Sequence, residues 1–114
     1  KNVSFYKNFE VEDYLVLMKN ASCAVGNSSS FIREGSYLKL PSVIVGKRQN
    51  KREIGSNVVF SNFNKNEIVS KINYQKNKKK KIKKSNIYGK GGAAKKIAKI
   101  LNFVKPNIQK TLNY

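Results

Sequence analysis

The sequence predicts an α/β fold: a Rossmann-like parallel sheet with flanking helices. Three observations carry this. Short, continuously apolar runs at 21–25, 43–45 and 58–60 read as strands buried on both faces rather than one. Segments of helical periodicity lie around and between them, the pattern that builds parallel crossovers. Gly26, Asn27 and three serines stand where the first run gives way to a helix, the strand, turn and helix join of such folds.

The elements follow in order. Over 2–6, Val3 and Phe5 alternate with polar neighbours and predict a short strand. Phe9 and Glu10 lead into a helix whose Val11, Tyr14, Leu15 and Met18 fall at i, i+3, i+4 and i+7, ending near Asn20. It is expected to pack on the sheet with no chemical role, Tyr14 and Met18 lying in or near the core. Cys23, the single cysteine, excludes an internal disulfide and reads as a small buried hydrophobe. A helix over about 30–38 sets Phe31, Gly35 and Leu38 at helical spacing, and Pro41 stops it. The run 43–45 then enters a loop holding Lys47, Arg48, Lys51 and Arg52.

After the third run, 64–74 predicts a helix with Ile68, Val69 and Ile72 inward and a capping-box-like start at Asn64-Lys65-Asn66-Glu67. The lysine run 76–84, broken by Asn77 and Ile82, reads as a solvated loop or helix end. Tyr88-Gly89-Lys90-Gly91-Gly92 reads as a structural turn, because no strand directly precedes it and the Walker spacing is absent. A last helix over 93–104 sets Ala94, Ile97, Ala98 and Leu101 opposite Lys95, Lys96 and Lys99, with Pro106 closing it. The domain is placed at 1–104 and a tail at 105–114, of which 107–114 is expected to be poorly ordered.

Loops that follow parallel strands emerge at one carboxyl edge, where open α/β sheets bind ligands. A helix start offers unpaired N–H groups and the positive end of its dipole to an anion. Asn27, Ser28, Ser29 and Ser30 therefore face the same crevice as the basic loop, and a phosphate or diphosphate is the economical ligand. Each piece alone has an ordinary explanation, since serines cap helices and basic loops are solvated. Their pairing on one edge carries the expectation. Ser30 has Arg33, not an acid, three residues on, so no capping box forms there. Glu34 lies on the same face, near enough to the dipole for ordinary stabilisation and free to accept hydrogen bonds from a ligand's hydroxyls.

The net charge of +18 invites a nucleic-acid reading. Its arginines are only Arg33, Arg48 and Arg52; the rest is lysine, accompanied by the asparagine and isoleucine that A/T-rich coding produces. Such charge raises nonspecific affinity for phosphate backbones, but the aromatic platforms of single-strand binders are not interleaved with it. The absence of histidine excludes the usual zinc sites and histidine triads within this segment. No apolar run approaches a membrane span, and no signal-peptide pattern opens the chain. The expectation is a soluble cytoplasmic protein with no metal or cofactor, no membrane partner and no specific nucleic acid. The acids are Glu10, Glu12, Asp13, Glu34, Glu53 and Glu67, and no pair is spaced to move a proton.

Asn27-Ser28-Ser29-Ser30-Phe31-Ile32-Arg33-Glu34, Leu40-Pro41-Ser42-Val43, Gly46-Lys47-Arg48-Gln49 and Arg52-Glu53 resemble the C-terminal half of UDP-N-acetylglucosamine 2-epimerases, closest to the hydrolysing branch. The resemblance runs from about Val3 to Leu101. It implies a two-domain GT-B-type enzyme that holds UDP between Rossmann-like domains and makes N-acetylmannosamine, or its UDP form, for sialic-acid-type sugars. By matching positions, Ser28 and Ser29 would contact the diphosphate and Glu34 the ribose hydroxyls. Arg48 would approach the phosphates as a leaving-group stabiliser, with Arg33 and Arg52 also matching the motif. The family usually has an acid where Lys90 stands. The acid–base residues would lie mostly in an N-terminal domain. The chain opens at Lys1 and enters a strand-like run at once, so a fragment inactive alone is expected, the complete protein being a homodimer or homo-oligomer. Another UDP-sugar-dependent GT-B glycosyltransferase and a basic nucleic-acid-binding module are the rival readings.

Overall fold

A computed structural model describes residues 2–105, so the predicted tail from Pro106 onward lies outside the described residues. Three strands, β1 (Ala24–Gly26), β2 (Ser42–Val45) and β3 (Val58–Ser61), form one parallel sheet in chain order. Val25 pairs with Val43 and Val43 with Val59. The helices are α1 (Val11–Asn20), α2 (Arg33–Leu38), α3 (Lys65–Lys78) and α4 (Ala93–Leu101), with 3-10 turns at Ser29–Phe31 and Lys79–Lys81.

Successive strand residues point to opposite faces. Val43 and Ile44 are both fully buried, so the central strand is covered on both sides, as its apolar run predicts. On one side Ile32, Ile44 and Val58 form the core with Phe31 and Phe60. Helix α3 packs on β2 and β3, and α1 packs against α2. Each buried aliphatic side chain contributes about 1.5–3 kcal/mol.

The crossover α2 is short, and a buried side chain holds both its ends. Asn57 Nδ2 donates to the carbonyls of Phe31 and Leu40, each at 3.0 Å. Gly35 faces this amide so closely that a Cβ would stand 3.3 Å from Asn57 Nδ2. Lys39 ends the helix in the left-handed conformation, φ 58°, before Pro41. Helix α3 runs four residues past its predicted end, because its inner face continues through Gln75. That side chain is fully buried and donates to the carbonyls of Ser42 (3.0 Å) and Asn57 (2.7 Å). The inner face is thus Ile68, Ile72 and Gln75, and Val69 is exposed. At its start Asn64 Oδ1 accepts the Glu67 N–H at 3.0 Å; Glu67's carboxylate pairs with Lys71 instead of returning to the cap.

The strand expected over 2–6 is not formed. Val3, Phe5 and Tyr6 are exposed, and among the described residues β1 pairs only with β2, so the alternating pattern has no ladder to join. Tyr6 stacks on Phe9 instead, centroids 4.8 Å apart. The last helix ends at Leu101 rather than 104, and its whole surface, Ile97 and Leu101 included, is exposed among the described residues. Gly89, Gly91 and Gly92 all have positive φ, in keeping with a turn. No described helix is long and apolar enough to cross a membrane.

Two outcomes are expected. Asn57→Ala leaves the Phe31 and Leu40 carbonyls without their donor and should lower unfolding free energy by about 1–3 kcal/mol in a urea titration. Burial pushes the Cys23 thiol pKa up, only partly opposed by Lys76, so the thiolate forms at higher pH than in an ordinary thiol. Its alkylation rate should therefore rise at higher pH than that of a free cysteine, with iodoacetamide as the probe.

Candidate functional site

Because the sheet is parallel, Gly26, Val45 and Ser61 end at one edge, and the loops following them open there. Helix α1 leads into β1 from the far edge, so its first turn and the segment before it return to this carboxyl edge. There the rings of Tyr6, Phe9 and Tyr14 and the side chains of Lys7, Ser30 and Glu34 enclose a cleft of about 380 Å³. The rings form a ladder, Phe9 lying 6.2 Å from Tyr14 between centroids. Beyond Glu34 a smaller cavity of about 220 Å³ is lined by Arg33, Tyr37, Ser85 and Tyr88. Glu34 belongs to both.

Hydroxyls connect the cleft to the serine turn. Tyr14 Oη lies 2.9 Å from Ser30 Oγ, which lies 2.8 Å from Ser28 Oγ. Ser28 is the N-cap of the 3-10 turn, accepting the Ser30 N–H at 3.3 Å, so the ordinary capping role of this serine is realised. The helix start is tighter than an α-helical one, since Ser29–Phe31 is 3-10 and α2 begins only at Arg33. Glu34 Oε2 is buried and has no hydrogen-bond partner among the described residues. A buried carboxylate oxygen without a donor is costly unless a ligand supplies one.

The structure brings together Ser28, Ser30 and Glu34 with Tyr14. Asn27 is exposed, and its carbonyl accepts from Gln49 Nε2 at 2.8 Å. Ser29 opens the 3-10 turn, its carbonyl accepting the Ile32 N–H. Arg48 and Arg52 are exposed on the 46–57 loop, and neither lines the two cavities. Gly46 begins that loop at φ 81°, and a Cβ there would stand 2.7 Å from the Phe63 ring.

The family model described as UDP-N-acetylglucosamine 2-epimerase matches residues 1–102. The chain belongs to the UDP-N-acetylglucosamine 2-epimerase family. Among its curated relatives, a UDP-N-acetylglucosamine 2-epimerase of Neisseria meningitidis is 36% identical over 59% of this chain and 18% of its own length. A hydrolysing UDP-N,N'-diacetylbacillosamine 2-epimerase of Legionella pneumophila is 32% identical over 90% of this chain and 27% of its own. A hydrolysing GDP/UDP-N,N'-diacetylbacillosamine 2-epimerase of Campylobacter jejuni is 39% identical over 52% and 15%. The chain thus spans under a third of the length of these relatives.

Within this family member, the aromatic wall of the cleft escaped the sequence reading. Helical spacing placed Tyr14 in or near the core with no chemical role, yet it lies near the start of the helix preceding β1, which a parallel topology returns to the carboxyl edge. Tyr14→Phe removes the hydroxyl bonded to Ser30 and should destabilise the fold by about 0.5–1.5 kcal/mol, measured by thermal unfolding.

Proposed function

We propose that this chain forms the UDP-binding portion of a UDP-N-acetylglucosamine 2-epimerase of the hydrolysing type. The observation that carries the reading is the buried, partnerless Oε2 of Glu34 beside an aromatic-walled cleft. A carboxylate accepts two hydroxyl donors at once, as a ribose diol offers, and charge-assisted bonds of this kind are strong. Flat rings spaced as Tyr6, Phe9 and Tyr14 offer a nucleobase apolar surface. A nucleoside seated there would direct its diphosphate along the carboxyl edge toward Ser28, Ser29 and the loop of Arg48 and Arg52.

Epimerisation at C2 with release of UDP needs a base for the C2 proton and stabilisation of the departing diphosphate. Arg48 is assigned the second task. Among the described acids only Glu34 lines the cleft, where it is committed to binding, so proton transfer is assigned to a separate N-terminal domain completing a GT-B-type crevice. Water adds at C1 where UDP has departed and a proton returns to C2, so free N-acetylmannosamine or a related amino sugar is the product in this reading. The partners are a UDP-sugar, that domain and a second copy of the protein, and the setting is cytoplasmic amino-sugar biosynthesis.

Calorimetric titration with UDP tests the reading. Glu34→Ala should weaken UDP binding by about ten- to a hundredfold, the loss from removing a charged hydrogen-bond partner. Unchanged UDP affinity in Glu34→Ala would remove Glu34 from the site, whereas absent UDP binding together with salt-sensitive oligonucleotide binding, unaffected by Glu34→Ala, would replace the reading with the basic module.

A further inference from the structure

Gln49 is 4% exposed, although its neighbours Arg48 and Asn50 in the loop are exposed. Its Nε2 donates to the Asn27 carbonyl at 2.8 Å, joining segments 22 residues apart in sequence. The other bonds of residues 46–52 are local or run to β3: Asn50 N–H to the Lys47 carbonyl, Arg52 N–H to the Gln49 carbonyl, and Gly46 N–H to the Ser61 carbonyl. These shape the loop and anchor its root. Among the described side-chain bonds, that of Gln49 is the one that ties the arginine-bearing residues 47–52 to the turn at 27–30.

We propose that Gln49 is a positioning residue for the diphosphate: its carboxamide holds the Arg48 loop in register with Ser28 and Ser29. The inference rests on the nucleotide reading above. Gln49 stands next to Arg48, and Asn27 next to Ser28, so one hydrogen bond separates the two candidate phosphate-binding groups by a single residue on each side. The bond comes with a cost. Gln49 Oε1 is buried with no partner among the described residues, so the carboxamide carries a desolvation cost alongside its one good bond. A methionine would fill the same space without that cost. What methionine cannot do is fix the distance between the two loops. An arginine held in place before the ligand arrives loses less freedom on binding, so the bond strengthens the grip without touching the ligand.

The test is a double-mutant cycle in UDP affinity, with thermal unfolding measured beside it. Gln49→Met should unfold within a few degrees of the wild type yet bind UDP about tenfold more weakly. Arg48→Ala should also lose about tenfold. Combined, the two should lose little more than either alone, because a misplaced arginine has nothing left to contribute. If Gln49→Met unfolds, Gln49→Glu, which keeps the size and removes the donor, takes its place in the cycle. Wild-type UDP affinity in Gln49→Met, or losses that multiply to about a hundredfold in the double variant, would overturn the inference. A wild-type protein that does not bind UDP overturns the nucleotide reading itself, a result distinct from either.

Discussion

The carboxamide of Asn57 holds this domain's architecture together. Its two hydrogens go to the carbonyls of Phe31 and Leu40, one before and one after the six-residue crossover helix. Its own backbone carbonyl accepts from the Ser42 N–H and from Gln75 Nε2. One residue thus ties the crossover, the central strand and the third helix to the start of β3. Carbonyls at and beyond a helix end must find donors: Gly35 and Ser36 accept the N–H groups of Leu40 and Ser85, and Asn57 supplies the donors for Phe31 and Leu40. With Asn57 in place, α2 is held at a fixed height over the sheet, and Glu34 on its first turn is carried to the edge where the cleft opens.

Much of this was legible in the sequence because apolar pattern and strand burial share one cause. The runs 43–45 and 58–60 were found within a residue of β2 and β3, and α1 was found at its true ends. The pattern misled where it had no partner to act on. Val3 and Phe5 alternate as a strand does, but alternation only describes a surface ready to pair, and no described strand lies beside it. Gln75 shows the converse. A polar residue at an inward helical position looks like an interruption until the carbonyls of Ser42 and Asn57 are seen to need it. Side-chain bonds to distant backbone leave no periodic trace.

The site divides along the same line. Motif spacing pointed to the serine turn, Glu34 and the basic loop, because each is a short contiguous stretch; of these, Ser30 and Glu34 line the cleft and Arg48 and Arg52 do not. The aromatic wall comes from residues 6–14, brought there only by the return path of α1, and was invisible as a group. Charge was the poorest guide. Several lysines of the 76–84 region serve local ends: Lys79 donates to the Ala21 carbonyl, Lys84 lies 3.6 Å over the Tyr37 ring, and Lys78 lies 5.5 Å over Tyr74. Ile82, between them, is buried.

Gly46 sets the direction in which the basic loop leaves the sheet. It turns the backbone at φ 81° directly behind the last residue of β2, with the Phe63 ring filling the volume a side chain would need. A larger residue there would meet the ring at 2.7 Å and require a backbone angle that L side chains rarely adopt. Relief of either conflict swings everything downstream about that point, two arginines included. The pivot of the basic loop is therefore a vacancy: a hydrogen where any other amino acid carries carbon, two residues ahead of the Arg48 guanidinium.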